Sequence, residues 1–232
     1  MNKLLFMASI MLFAIGAKAQ DDKLHKDWAN IQGYEERNSK LAPPAKGENR
    51  VVYMGDSITD FWMNNDSTFF KSNSYINRGI SGQTTGQMLV RFREDVINLK
   101  PNVVVILAGI NDIAENNGPS KLEDVFGNIV SMAELAKTNN IKVVISSVLP
   151  ANKFPWRPSI IPTEKVVQLN AMLKEYADKN GIVYLDYYSA MVDSDKGLPA
   201  NLAKDGVHPT LEGYKIMEPL AVKAIDKAMK GK

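Results

Sequence analysis

The sequence predicts an α/β protein, a three-layer α/β/α sandwich with a mostly parallel central sheet. Three observations predict it: short continuous apolar runs, stretches of helical period between them, and small or polar clusters directly after the runs. The runs are "VVYM" (51–54), "VVVILA" (103–108), "VVISSV" (143–148) and "IVYLDY" (182–187), with a shorter strand expected around "SYINRG" (74–79). They lack apolar–polar alternation, as expected of strands covered on both faces.

Between the runs the period turns helical. Met88, Phe92 and Val96 recur every fourth residue of "TTGQMLVRFREDVINLK". Val125, Ile129, Met132 and Ala136 form a second stripe, introduced by Ser120 with Glu123 three residues on, the pattern of a capping box. Val166, Leu169, Leu173 and Tyr176 form a third, closed by Asn180-Gly181. A last helix is expected from about Pro209, carrying Leu211, Tyr214 and Leu220. Met88, Met132 and Met172 lie on these stripes and are expected in the core. The strand–helix–strand order implies right-handed crossovers, and in such sheets ligands bind beyond the carboxyl ends of the strands.

The N-terminus stands outside this pattern. "MNKLLFMASIMLFAIGAKAQ" has a basic start at Lys3, an apolar run from Leu4 to Ile15 and the small-x-small site Ala17-Lys18-Ala19. That is the pattern of a secretory signal peptide cleaved after Ala19. The run is too short for the ~20 residues of a membrane-spanning helix. An exported protein, periplasmic or extracellular and without stable membrane insertion, is therefore expected. Residues 20–50 read as a polar arm holding Trp28 and Tyr34, then the proline-containing linker "LAPPAKGENR". Residues 51–232 read as a single α/β domain.

The full chain has 28 basic and 26 acidic residues. Cleavage after Ala19 removes Lys3 and Lys18, leaving 26 against 26. Such a balance exerts no electrostatic pull on nucleic acid or anionic membranes. With no cysteine, the chain holds neither a disulfide nor a lipid-bearing cysteine, and packing alone must stabilise it.

The segments at the ends of the runs carry the chemistry. The first run leads into "GDSIT", the short strand near residue 76 into "ISGQTT", the run 103–108 into "GIND", and late in the chain stands "DGVHP". Taken singly each is ordinary: a serine after a strand usually caps a helix, and Asn-Asp or Asp-Gly makes turns. Together they supply the requirements of covalent ester hydrolysis, namely a nucleophile, a base, an orienter for that base and donors for the oxyanion. Ser57 is the candidate nucleophile. His208 is the candidate base, since the other histidine, His25, lies in the polar arm. Asp205 stands three residues before His208 and can reach the second imidazole nitrogen. The donors would be the Ser57 N–H, a glycine N–H from "RGISG" (Gly79 or Gly82) and the Asn111 amide. A metal site from Asp56, Asp60, Asp112, Asp205 and His208 is the weaker reading, because a zinc-type site asks for several histidines or cysteines. The G-x-S-x-G elbow of α/β-hydrolases is absent, as Thr59 stands where its second glycine would be.

The set "GDSIT … GISGQTT … GIND … DGVHP" resembles the SGNH (GDSL-type) esterase/lipase family, in order and from Val51 onward. Within it the chain is similar to the platelet-activating-factor acetylhydrolase-like and carbohydrate acetylesterase branch. The resemblance implies a flavodoxin-like sandwich. It implies Ser57 as nucleophile, Gly82 rather than Gly79 with Asn111 as oxyanion donors, and His208 as base beside Asp205. With those roles filled by side chains and backbone N–H groups, no metal or organic cofactor is expected.

For the substrate, the expectation is a short acyl ester, most simply acetyl, on a small molecule or carbohydrate. The chain has no charge bias toward a charged polymer and no long apolar insertion to act as a lid. The loop "LPANKFPWRPSIIP" (149–162) offers Phe154, Trp156 and Arg157 for stacking on a sugar or binding a polar leaving group. The competing readings are a lysophospholipase or thioesterase with the same triad, a non-catalytic carbohydrate-binding module, and an interaction role for the 20–50 arm.

Overall fold

A computed structural model describes residues 27–231. The expected signal peptide, the start of the arm and His25 lie outside the described residues. Five strands form one sheet: β1 (Val51–Gly55), β2 (Tyr75–Gly79), β3 (Val103–Leu107), β4 (Lys142–Ser146) and β5 (Val183–Leu185). Their order is β2-β1-β3-β4-β5, and every neighbouring pair is parallel. All residues of β1 and β3 are buried, which is why these strands read as unbroken apolar runs. The chain passes from β1 outward to β2, then returns to the other side of β1 as β3. That reversal opens a crevice at the carboxyl ends of β1 and β3.

The helices are α1 (Glu35–Ser39), α2 (Ser57–Asn65), α3 (Ser67–Asn73), α4 (Thr85–Asp95), α5 (Ile110–Ile113), α6 (Leu122–Thr138), α7 (Thr163–Lys179), α8 (Tyr187–Met191) and α9 (Leu211–Lys230). On one side α4 packs on α6 and α6 on α7; on the other, α9 packs on α2 and α8. The three apolar stripes bury their key residues, Met88, Phe92, Val96, Val125, Ile129, Met132, Val166, Leu169 and Leu173 among them. Met172 is only half-buried.

Several details depart from the sequence reading. The box expected at Ser120 does not form: α6 begins at Leu122, so Glu123 falls one position short of the reach the box requires. A contact of that kind sits instead at the start of α4, where Gln87 Oε1 accepts from the Thr84 N–H at 3.0 Å. The last strand stops at Leu185 because Asp186 caps α8, accepting from the Ser189 N–H at 2.9 Å. Leu211 is exposed; α9 buries Tyr214, Met217, Ala221 and Ile225 instead.

Two features brace the site from below. Trp62 of α2 stacks on Phe69 (4.9 Å between ring centroids) and on Tyr214 of α9 (5.1 Å). The Tyr214 hydroxyl donates to the Ile58 carbonyl at 2.8 Å, so α9 holds the first turn of α2 directly. The arm makes a short 3₁₀ turn (Ile31–Tyr34) and α1, and the linker is pinned where Arg50 donates to the carbonyls of Leu99 and Ala42, 3.0 Å each.

Candidate active site

Ser57 is the first residue of α2, and the cap of that helix is its neighbour. Asp56 Oδ1 accepts from the Ile58 N–H at 2.9 Å. The capping duty that a serine after a strand ordinarily carries thus falls to Asp56, and the Ser57 hydroxyl is left for other work. It meets His208: Oγ to Nε2 is 2.8 Å. His208 Nδ1 in turn lies 2.6 Å from Asp205 Oδ2.

The turn "DGVHP" makes this second contact nearly inevitable. Asp205 Oδ1 accepts from the backbone N–H groups of Val207 (2.9 Å) and His208 (2.8 Å), leaving Oδ2 for the ring. With the carboxylate at Nδ1, that nitrogen carries the proton and Nε2 is the acceptor facing the serine. Burial opposes ionisation of Asp205, but the hydrogen bonds from the His208 ring and from the two backbone N–H groups outweigh it and hold the carboxyl below the usual carboxylate range. The rings of Phe61 (5.2 Å) and Trp156 (6.0 Å) pack against the imidazole.

The donor candidates gather on the same edge. The Ser57 N–H belongs to the unpaired first turn of α2. Gly82 follows β2 in the loop 80–83 with φ +78°, a conformation glycine adopts without strain. Asn111 Nδ2 donates to the Gln83 carbonyl at 3.0 Å, and its Oδ1 accepts from Asn116 Nδ2 at 2.8 Å. One amide hydrogen of Asn111 is therefore anchored, and the other remains to donate. Gly79 is not free to take the donor's place, because its N–H already donates to Asn77 Oδ1 at 2.9 Å. A Cβ there would lie 2.2 Å from the Asp60 nitrogen, so it marks the close approach of α2 to the end of β2.

The loop residues separate. Trp156 is exposed, with Nε1 3.4 Å from Asn116 Oδ1. Arg157 is also exposed, and no side-chain partner for it stands among the described residues. Phe154 is buried beneath Trp156 (5.2 Å between centroids), which corrects the expectation that it faces a ligand: it supports Trp156. A shallow groove continues from His208 past Asn65, Asn201, Lys204 and Glu212. Among the described residues no three His, Cys, Asp or Glu side chains cluster as a metal site. Three of the four acids that the metal reading would use are engaged elsewhere. Asp112 accepts from the Thr85 N–H and hydroxyl, Asp60 from the Ser81 hydroxyl, and Asp205 from His208.

Asp56 has a second oxygen, Oδ2, that is buried and finds no partner among the described residues. Burial pushes its carboxyl up to about 7, the Ile58 N–H and the nearby His208 pulling the other way. Sequence reasoning groups Asp56 only with metal ligands and misses its part as the cap; the signal is available, since Asp ranks beside Ser at that position.

A parallel sheet of this order, with a hydroxyl–imidazole–carboxylate chain across its carboxyl edge, has the arrangement of an α/β/α serine hydrolase. Residues 53–216 match the model of the GDSL-like lipase/acylhydrolase family, and the chain belongs to that family. It is a carboxylic ester hydrolase. A GDSL-like lipase from Bacteroides thetaiotaomicron is 53% identical, with TM-score 0.85 over 87% of this chain and 100% of that one. A Bacteroides fragilis protein solved as a candidate acylhydrolase is 56% identical, with TM-score 0.87 over 89% of this chain and 100% of that one. The acetylxylan esterase of Geobacillus stearothermophilus is 29% identical over 150 residues, 61% of this chain and 67% of the relative.

Proposed function

We propose that this protein is an exported serine esterase that removes short acyl groups, acetyl above all, from carbohydrate esters. The observation that carries the reading is the unbroken chain from Ser57 Oγ to His208 Nε2 (2.8 Å) and from His208 Nδ1 to Asp205 Oδ2 (2.6 Å). His208 Nε2 takes the Ser57 proton as Oγ attacks the ester carbonyl carbon. The Ser57 N–H, the Gly82 N–H and Asn111 Nδ2 hold the oxyanion, and Asp205 stabilises the imidazolium. His208 then gives the proton to the leaving alcohol, leaving an acyl-serine. Water, deprotonated by the same imidazole, releases the acid.

The leaving alcohol must lie against Nε2, and the groove that runs on from His208 presents the polar side chains of Asn65, Asn201, Lys204 and Glu212 beside the apolar Pro209 and Leu211. Its polar groups can hydrogen-bond the hydroxyls of a polyol. Exposed Trp156 beside His208 supplies a face on which a sugar ring can stack. The similarity to an acetylxylan esterase supports the same substrate class. The segment 1–19 supports export.

The test is a series of p-nitrophenyl esters from acetyl to decanoyl, together with acetylated xylo-oligosaccharides. The acetyl ester should be fastest, and Trp156→Ala should raise KM for the oligosaccharide about tenfold while leaving the p-nitrophenyl ester nearly unchanged. Preference for decanoate would assign the triad to lipid or thioester chemistry instead.

A further inference from the structure

We propose that the N-terminal arm is a positioning element of the oxyanion hole, acting through Gln83 and Gly79. The proposal rests on the serine-esterase reading. The loop 80–83 carries Gly82 between two anchored ends. Ser81 and Gly82 are exposed, whereas Gly79 and Gln83 are buried. A Cβ built on Gly82 meets nothing within 4 Å, so no neighbour packs against that position and the ends must fix where its N–H points.

The arm grips both ends. At the first, the buried Tyr34 hydroxyl donates to the Gly79 carbonyl at 2.5 Å. The Tyr34 ring lies under the Arg78 guanidinium, 4.6 Å from its carbon, and Arg78 donates to Asn38 Oδ1 at 2.9 and 2.7 Å. At the second, Gln83 Nε2 donates to the Ala29 carbonyl at 2.7 Å. Gln83 Oε1 accepts from Arg91 Nε at 2.5 Å, and Arg91 Nη2 donates to the Gly55 carbonyl at 3.0 Å. One turn further into α4, Gln87 repeats the tie, donating to the Trp28 carbonyl at 2.6 Å.

Gln83 is where these contacts reach the chemistry. It adjoins Gly82, and its backbone carbonyl is the acceptor that orients the Asn111 amide. Two of the three oxyanion donors therefore depend on one buried residue, whose side chain is held by the arm on one side and by Arg91 on the other. Within the loop the remaining ties are the Ile80 N–H to the Gly55 carbonyl at 3.1 Å, the Gln83 N–H to the Ile80 carbonyl at 3.3 Å and the Ser81 hydroxyl to Asp60 Oδ2 at 2.7 Å; none of them holds Gly82 itself. Gln83, Tyr34 and Ala29 touch no reacting atom; they are positioning residues. Displacement of a donor by a fraction of an ångström weakens the transition state without weakening substrate binding.

Two variants test this. Gln83→Met keeps length and burial but can neither donate to Ala29 nor accept from Arg91. Tyr34→Phe keeps the ring under Arg78 and removes a single hydroxyl. Each is assayed with p-nitrophenyl acetate, with rates expressed per serine titrated by a fluorophosphonate, so that unfolded protein is not counted. The expected result is a kcat about tenfold lower for Gln83→Met and about threefold lower for Tyr34→Phe, with KM within about twofold. Inhibition by a boronic acid, whose tetrahedral adduct needs the same donors, should weaken in step. A kcat per titrated serine within about twofold of wild type in both variants, or a loss carried by KM alone, overturns the proposal. If Gln83→Met fails to fold, Tyr34→Phe decides alone. Wild-type turnover in Ser57→Ala would overturn the serine reading instead, and is measured beside them.

Discussion

Ser57 and Asp56 divide two jobs that a single serine often shares. Asp56 caps α2 and Ser57 faces His208, so Ser57→Ala should abolish turnover while leaving the melting temperature within a degree or so of wild type. Asp205→Asn keeps the turn's backbone bonds but presents the wrong partner to Nδ1; kcat should fall about 10²–10⁴-fold, read under saturating p-nitrophenyl acetate. Asp56 itself makes a pH-dependent contribution to stability. Its carboxyl rises from 3.8 to about 7 on folding because it is buried. Between those values the folded chain holds a proton that the unfolded chain has released, so this group lowers stability as pH climbs from 3.8 to about 7, and the full cost persists above. Asp56→Asn keeps an oxygen for the Ile58 N–H and cannot ionise. It should therefore gain stability over wild type at pH about 8 by a few kcal/mol more than at pH about 4, in paired thermal melts. An equal difference at both values would contradict the raised carboxyl.

The elements show why two glycines near the site behave differently. A Cβ at Gly79 would meet the Asp60 nitrogen at 2.2 Å and the Asp56 carbonyl oxygen at 2.8 Å, both backbone atoms of the α2 entrance. Gly79→Ala should thus force α2 off the end of β2 and destabilise the protein by roughly 3 kcal/mol or more. Gly82→Ala meets open space but must hold φ +78°, at a cost of about 1–2 kcal/mol or a rotation of the N–H proposed to serve the oxyanion. Its signature should be a large loss of kcat with a melting temperature lowered by only about 2–8 °C. Four of the five strands are legible in sequence because a parallel sheet covered on both faces turns them into apolar runs, as "VVVILA" illustrates, whereas the edge strand β2, "YINRG", is only partly buried and reads less clearly. Helix ends are less so. Ser120 and Glu123 match a capping pattern, yet α6 starts where packing of Val125 and Ile129 places it.

At the scale of the whole molecule, legibility tracks contact range. Ser57, Gly82, Asn111, Asp205 and His208 sit in short blocks at strand ends, and the resemblance of those blocks to a family names them together. Tyr34 and Ala29 carry no motif, and although Gln83 lies within "GISGQTT" nothing there marks it as a partner of the arm; the link spans 54 positions between Ala29 and Gln83, visible only once the arm is folded against α4. Arg91 reads as the polar face of an amphipathic stretch, but it is fully buried, paired with Asp95 at 2.8 Å. Phe154 reads as a ligand-facing aromatic for the same reason: residue type is local, exposure is not. The chemistry assigned to these side chains asks nothing of a metal, so activity and melting temperature should be unchanged by EDTA; loss of either, restored by a divalent ion, would contradict the mechanism.

The most direct test of the central claim weighs the protein during turnover. Acid-quenched p-nitrophenyl acetate reactions, resolved by intact mass and then by peptide, should show one added acetyl group on Ser57 in the wild type and none in Ser57→Ala. Hydrolysis without an acyl-protein in the wild type, or an equal rate in the variant, would mean that the hydroxyl 2.8 Å from His208 is not the nucleophile.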